Sequence, residues 1–103
     1  MNIQEMIKQQ IHENPVILYM KGNAEMPLCG FSAQVVKLLK ACNIKFTTVD
    51  VLQDDAIRQG IKAFSSWPTI PQLYVKGEFV GGCDILTEMY QAGELQTLLK
   101  NVA

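Results

Sequence analysis

The sequence has almost no excess charge and no long hydrophobic run. Nine lysines and arginines stand against ten aspartates and glutamates, which leaves a formal net charge of −1 at pH 7. Nucleic-acid-binding domains usually show a basic excess and a basic stripe, so this balance argues against that class. A stretch of about 18 apolar residues, as a transmembrane helix needs, is also missing, and we expect no membrane span.

Cysteine and histidine are scarce as well. Three cysteines are too few, and odd in number, for a disulfide scaffold of this size. The first residues, Met1 to Glu5, lack the cationic and apolar segments of a signal peptide. These absences predict a cytoplasmic protein in a reducing compartment, where a free thiol reacts rather than forming a structural disulfide.

The same scarcity limits metal sites and dithiol chemistry. Three cysteines and one histidine without paired ligand spacing do not make a conventional four-ligand metal site. A Cys-x-x-Cys pair is missing, because Ser32 stands three residues after Cys29. Two-thiol exchange within one motif is thereby excluded, whereas one-thiol chemistry with an external thiol remains open.

The sequence does contain enough apolar material for one core. Its 103 residues, 49% of them hydrophobic, predict a single compact domain over residues 1–103. Helical and strand-like spacings alternate, which predicts an α/β fold with a four-stranded mixed sheet flanked by helices. In the fourth helix the spacing places Ile85 and Met89 in the core and does not decide whether Leu86 also points inward. The predicted helices cover the first dozen residues, 29–42, about 54–64, 84–91 and 94–101, and the predicted strands cover 16–20, 46–50, 72–75 and 78–80.

Cys29 is the strongest candidate for chemistry. It lies where a loop enters a helix, and the free N–H groups and dipole at a helix N-terminus favour a thiolate. Lys21, at the end of the preceding strand, adds positive charge nearby. A buried apolar cysteine is the alternative, but Gly30 and the loop before Cys29 favour exposure. We therefore interpret Cys29 as an exposed, reactive thiol.

The other cysteines and the histidine have different interpretations. Cys42 falls on the apolar face late in the second helix and is expected to pack in the core. His12 is expected to be a solvated surface residue. Cys83 follows two glycines and precedes a helix, where it is either a small residue at a tight turn or a redox partner that bonds Cys29 under oxidation.

Two further segments predict a binding groove. A cis bond between Ile70 and Pro71 would leave the Ile70 backbone free to pair with an extended peptide, whereas a trans bond would make an ordinary turn. Asp84 either caps the following helix or holds an ammonium group. Lys21 and Arg58 could clamp a carboxylate. Together they describe a groove for a short peptide with two carboxylates, one amine and a thiol beside the candidate cysteine.

Four motifs occur in order along the chain: Met20-Lys21-Gly22, Cys29-Gly30-Phe31-Ser32, Trp67-Pro68-Thr69-Ile70-Pro71-Gln72 and Gly81-Gly82-Cys83-Asp84. With them the chain closely resembles the single-domain monothiol glutaredoxins of the CGFS type, and the likeness covers nearly its whole length. The loop 23–28 is similar to the insertion that separates this class from dithiol glutaredoxins. The resemblance implies a thioredoxin-like fold in which Pro71 is cis.

The resemblance also implies glutathione as the bound tripeptide. Lys21 and Arg58 would hold its glycine carboxylate, and the Ile70 backbone would pair with its cysteinyl unit. The backbone of Cys83, with the backbone and side chain of Asp84, would hold the γ-glutamyl end. Family members often have Val or Phe at the position of Ile70, and because that contact is through the backbone, we expect little change.

A role in iron–sulfur cluster biogenesis follows from the same resemblance. Cys29 and one glutathione from each of two protomers would hold a [2Fe–2S] cluster at a homodimer interface. Half of these ligands are not attached to protein, so the cluster should be labile, as suits a carrier that delivers it to iron–sulfur acceptor proteins. A BolA-type protein is the implied hetero-partner. The alternatives are reduction of glutathione mixed disulfides, for which we expect weak or no activity, and a regulatory adapter that reports iron status.

Overall fold

The computed structural model describes residues 2–102 and contains the predicted alternation of helices and strands. Several boundaries differ from the prediction by one residue; the second strand begins at Thr47 rather than Phe46, and the fourth helix at Cys83 rather than Asp84. Among the helices within these residues, none is long and apolar enough to cross a membrane. The elements are α1 (Ile3–Glu13), β1 (Val16–Met20), α2 (Gly30–Ala41), β2 (Thr47–Asp50), α3 (Asp55–Ser65), β3 (Gln72–Val75), β4 (Glu78–Gly81), α4 (Cys83–Gln91) and α5 (Glu94–Lys100).

A mixed sheet with the strand order β2-β1-β3-β4 confirms the predicted α/β architecture. β1 runs parallel to β2 and antiparallel to β3, so that Tyr19 pairs with both Val49 and Gln72. β3 and β4 form a hairpin whose turn residues, Lys76 and Gly77, both have positive φ, as a type I′ turn requires. The C-terminal ends of β1 and β4 and the N-terminal end of β3 therefore lie side by side at one end of the sheet.

The core divides into two clusters on opposite faces of the sheet, because successive side chains of a strand point to opposite faces. On one face, Leu18 and Met20 of β1 pack with residues of α2, α4 and α5. On the other face, Ile17 and Tyr19 pack with residues of α1 and α3. β1 is buried along its whole length, so a fully buried strand ends immediately before the segment that leads to Cys29.

The third helix begins at a capping aspartate. Asp54 Oδ1 accepts the backbone N–H groups of Ala56 and Ile57 at 3.0 and 3.3 Å. These bonds satisfy two of the donors that a helix leaves free at its N-terminus.

The fourth helix corrects two sequence-based interpretations. Its N-cap is Gly82, so Asp84 does not cap it. Leu86 is the fully buried residue of this helix. Met89 is partly buried and packs against the first core cluster, as expected, whereas Ile85 is partly buried and does not belong to that cluster. The physical reason is that α4 packs against both α2 and α5, and this turns Leu86 into the first core cluster.

Candidate functional site

A cavity of about 450 Å³ opens at the end of the sheet where β1 and β4 terminate. It lies between the start of α2, the start of α4 and the loop 66–71 that precedes β3. All of the predicted site residues except Arg58 line this cavity, namely Lys21, Cys29, Ile70, Cys83 and Asp84. The lining is completed by Phe31, Lys62, Trp67, Pro68, Thr69, Pro71, Gly82 and Ile85.

Cys29 is the N-cap of α2 and is partly exposed. The backbone N–H of Ser32 is the largest influence on the Cys29 pKa, which it lowers, while partial burial works in the opposite direction. The N–H of Phe31, the charge of Lys21 and the Ser32 hydroxyl lower this pKa further. The thiol is therefore more readily ionised than an ordinary cysteine, because it faces the free donors of the first helical turn.

Ser32 connects this thiol to the end of β1. Its side chain is 0% exposed, and its Oγ accepts the backbone N–H of Lys21 at 3.1 Å. The same residue supplies the N–H that acts most strongly on Cys29. Sequence reasoning treated Ser32 only as the missing second thiol and overlooked this role. The signal in the sequence was the position of Ser32 three residues after Cys29, because the backbone N–H of the third helical residue faces the side chain of the N-cap.

The loop 22–28 folds back onto the end of β1. Leu28 donates its N–H to the Lys21 carbonyl oxygen at 2.9 Å, and Gly22 donates its N–H to Asp50 Oδ1 at 3.0 Å. Gly22 has a φ of +86°, and a Cβ there would lie 2.7 Å from the Leu28 nitrogen, so only glycine fits. The loop is thus a hydrogen-bonded turn, and it places the following residue, Cys29, in the wall of the cavity.

The loop before β3 contains a cis Ile70–Pro71 bond, which is one of the two alternatives left by the sequence. Ile70 belongs to the second core cluster and also lines the cavity. Gly82 approaches this loop so closely that a Cβ would lie 3.1 Å from the Pro71 carbonyl oxygen. The absence of a side chain at Gly82 therefore lets the start of α4 pack against the loop.

Cys83 and Asp84 are the first two residues of α4. Burial raises the pKa of the Cys83 thiol, and the charges of Asp84 and Cys29 raise it further, although the Thr87 hydroxyl opposes them. Asp84 itself is exposed. The cavity thus holds one readily ionised thiol and one that stays protonated at neutral pH, next to an exposed carboxylate.

The cationic side chains of the cavity differ from the prediction at one position. Lys21 and Lys62 line it, whereas Arg58 does not. Arg58 lies one turn before Lys62 on α3 and is partly buried, and its Nε has no hydrogen-bond partner within residues 2–102. Sequence reasoning missed Lys62, although the spacing of four residues places it on the same helix face as Arg58.

The remaining cysteine and the histidine lie outside the cavity. Cys42 is the C-cap of α2 and packs against the first core cluster, and burial raises its pKa. His12 is exposed on α1. Both positions agree with the interpretation of the sequence. In the described part of the chain, no three His, Cys, Asp or Glu side chains gather into a group that could hold a metal ion.

Comparisons with known proteins point to one family over most of the chain. A family model with the description Glutaredoxin matches residues 16–80. Glutaredoxin 4 of Escherichia coli strain K12 is 57% identical over 99 residues, which are 96% of this chain and 86% of that protein. Glutaredoxin 4 of Haemophilus influenzae strain 86-028NP is 56% identical over 97 residues, covering 94% of this chain and 91% of that protein.

Solved structures agree with the fold. The solution structure of reduced poplar apo GrxS14 has a TM-score of 0.83 and 46% identity, covering 95% of this chain and 90% of that chain. The crystal structure of a buckwheat glutaredoxin–glutathione complex has a TM-score of 0.84 and 25% identity, covering 95% of this chain and 87% of that chain. The predicted thioredoxin-like fold is confirmed by these similarities.

Proposed function

The chain belongs to the glutaredoxin family, and we propose that it binds glutathione beside Cys29 and carries a [2Fe–2S] cluster in iron–sulfur cluster biogenesis. The observation that carries this proposal is a single activated thiol on a cavity wall, in a motif whose second cysteine is replaced by a buried serine. Such a thiolate is a good metal ligand but lacks a mate in its own motif.

The cavity suits a short peptide with charges at both ends. Lys21 and Lys62 offer positive charge to a carboxylate on one side. Cys83 and Asp84 offer the N-terminus of α4 and a carboxylate to the γ-glutamyl end, which carries both a carboxylate and an ammonium group. The related buckwheat protein was crystallised with glutathione, which supports the choice of this tripeptide.

Arg58 has a less direct part in the proposal. The family resemblance assigns it to the glycine carboxylate, but it does not line the cavity. We propose that Lys21 and Lys62 provide the main positive charge there, with Arg58 reinforcing it from the preceding turn of α3.

A cluster with four sulfur ligands requires more than one chain. Cys29 provides one thiolate, and no group of three ligating side chains exists among residues 2–102. Glutathione bound beside Cys29 would provide a second thiolate, and a second protomer related by two-fold symmetry would provide the same pair again. The ligands available on this chain therefore fit a cluster shared by a homodimer.

Exposed apolar side chains around Cys29 support such a dimer. Met26, Leu28 and Phe31 are 66%, 59% and 63% exposed, and they flank Cys29 in the sequence. Several large exposed apolar side chains within one short segment favour a protein-binding role for that segment. The proposal also includes a BolA-type protein and iron–sulfur acceptor proteins as partners, on the strength of the resemblance of the four motifs.

Anaerobic reconstitution tests the proposal. The protein is mixed with iron, sulfide and glutathione, and its absorption spectrum and mass in solution are recorded. We expect a coloured dimer in the presence of glutathione and a colourless protein without it. Cys29→Ser should abolish the colour, because it removes the one cluster ligand that the chain supplies.

Cys42→Ser is the matched control. Cys42 lies at the far end of α2 from Cys29 and packs against the core, so this variant should form the cluster normally. A cluster that forms without glutathione, or that survives Cys29→Ser, would show that the ligand assignment is wrong.

The activated thiol also supports a second candidate function, the reduction of glutathione mixed disulfides. The Cys29 thiolate would attack the glutathionyl sulfur, which releases the substrate thiolate and leaves Cys29 joined to glutathione. A second glutathione thiolate would then attack that bond, which restores Cys29 and forms glutathione disulfide. Turnover of a glutathione mixed disulfide at the rate of a dithiol glutaredoxin would favour this function over cluster carriage.

A further inference from the structure

A buried glutamine holds the loop that precedes β3. Gln72 is 0% exposed and is the first residue of that strand. Its Nε2 donates to the carbonyl oxygen of Trp67 at 3.1 Å and to that of Thr69 at 3.0 Å. One side chain therefore binds two carbonyl groups of the segment that leads to Ile70.

Tyr74 fixes the orientation of this amide. Its hydroxyl donates to Gln72 Oε1 at 3.1 Å. Burial raises the pKa of Tyr74 to about 12, so the hydroxyl remains a donor at neutral pH. If the amide were rotated by 180°, its oxygen would face the two carbonyl oxygens, and neither of them can donate a hydrogen bond. The observed orientation is therefore the one that satisfies all three contacts.

We propose that Gln72 is a positioning residue for glutathione. By holding the carbonyl groups of Trp67 and Thr69, it sets the course of the backbone that brings Ile70 to the cavity. A ligand that pairs with the Ile70 backbone would then meet a preorganised partner, which lowers the ordering cost of binding. This inference rests on the proposed binding of glutathione.

Trp67 makes the position of the loop measurable. It is the only tryptophan of the chain, and it is 37% exposed. Its ring packs on Phe79 of β4, with 5.9 Å between the ring centroids. Its carbonyl group is one of the two that Gln72 holds, so tryptophan fluorescence reports the loop directly, with or without glutathione.

Gln72→Met tests the proposal, because methionine has a similar length but no donor. We expect the dissociation constant of reduced glutathione, measured by titration calorimetry, to rise about tenfold, the effect of losing about one net hydrogen bond. Without glutathione, the emission of Trp67 should move to longer wavelength and become easier to quench with iodide. Should this variant fail to fold, Gln72→Asn, whose shorter amide does not reach both carbonyl groups, is measured in the same way.

Tyr74→Phe is the matched control. It removes the third hydrogen bond of the same amide and leaves both bonds to the loop in place. Both variants leave a buried polar group without a partner, so both should melt at a lower temperature than the wild type. Only Gln72→Met should alter Trp67 emission, and Tyr74→Phe should bind glutathione within about twofold of the wild type.

Equal losses of glutathione affinity in the two variants would reduce Gln72 to a residue of general stability and overturn the proposal. Wild-type binding and emission in Gln72→Met would do the same. If the wild-type protein binds no glutathione, the proposed function fails by itself. Trp67 emission then still separates the two ideas, since unchanged emission in Gln72→Met contradicts the claim that Gln72 holds the loop.

Discussion

Cys29 and Cys83 both stand at the start of a helix and line the same cavity, yet their pKa values are shifted in opposite directions. Cys29 is the N-cap of α2, so the N–H groups of Phe31 and Ser32, the second and third helical residues, act on its sulfur. Cys83 is the first residue inside α4, behind the N-cap Gly82, and there burial dominates. A shift of one residue at the start of a helix thus makes the difference between a thiol with a lowered pKa and a thiol with a raised pKa.

Neighbouring charges widen the difference between the two thiols. The ammonium group of Lys21 favours the ionised form of Cys29, whereas the carboxylate of Asp84 disfavours that of Cys83. Both effects have the direction that Coulomb's law requires. The opposing environments are compatible with the roles proposed above, since a cluster ligand must be a thiolate and a residue proposed to lie beside the γ-glutamyl end need only offer its backbone.

The largest expected effect of this difference is selective alkylation. At pH 7, iodoacetamide should modify Cys29 roughly tenfold or more faster than Cys83 or Cys42, because only the thiolate reacts. The rate at Cys29 should reach half its maximum at a pH below that of an ordinary cysteine, and the rate at Cys83 at a pH above it. Peptide mass spectrometry of samples quenched over time measures each site separately.

Equal rates at Cys29 and Cys83 would contradict the role of the N-cap position. Alkylation in urea is the control, because unfolding removes both helices. There the three cysteines should react at similar rates, so that any remaining preference would have to come from the local sequence rather than from the fold.

The next largest expected effect concerns oxidation. Diamide accepts two electrons and two protons, and we expect it to join Cys29 to Cys83, since the more readily ionised thiol of Cys29 and the thiol of Cys83 line one cavity. Mass spectrometry of unreduced peptides should show the linked pair, and Cys42→Ser should leave it unchanged. Absence of the linked peptides under mild oxidant would mean that the two thiols do not meet in solution.

The fold was predictable from the sequence because its signals are local. The apolar run of β1, the Lys76-Gly77 turn and the spacing of the helices each reflect one element, and the observed boundaries agree to within about a residue. The difference between Cys29 and Cys83 was not predictable. It depends on whether the first residue of α4 is Cys83 or Asp84, and a hydrophobic spacing does not fix a helix end to a single residue.

The site residues that the sequence did not reveal were missed for a different reason. Ser32 and Gln72 act through buried side chains whose partners, the Lys21 N–H and the carbonyl groups of the loop 66–71, are brought near only by the folded chain. Lys62 reaches the cavity because of the rotational position of α3 on the sheet. Sequence spacing identifies a helix face, but it does not state which part of that face meets a cavity.

A smaller effect is expected from Ser32→Ala. The variant keeps the Ser32 N–H that contributes most to the Cys29 shift and loses only the hydroxyl, so the pKa of Cys29 should rise slightly. It also leaves the Lys21 N–H without its acceptor, which should lower the free energy of unfolding by about 1 kcal/mol. Urea unfolding and the pH dependence of alkylation measure the two effects.

Cys42 serves as the internal control for Ser32→Ala, because its pKa is raised by burial at the far end of α2 and not by the charge of Cys29. Its alkylation profile should not change. A pKa of Cys29 that returns to the ordinary cysteine value would mean that the hydroxyl, and not the helix N-terminus, activates the thiol.

The smallest expected effects on stability come from substitutions of the two charged residues, Lys21 and Asp84. Lys21→Gln should raise the pKa of Cys29, and Asp84→Asn should lower that of Cys83, and both shifts are weakened because water and salt screen charges at the protein surface. The pH dependence of alkylation at each cysteine measures both, and Lys37→Gln, on the exposed face of α2, is a control of equal charge change. Raising the salt concentration should reduce both shifts. If Lys21→Gln instead abolishes the difference between the two thiols, charge rather than position at the helix start separates them.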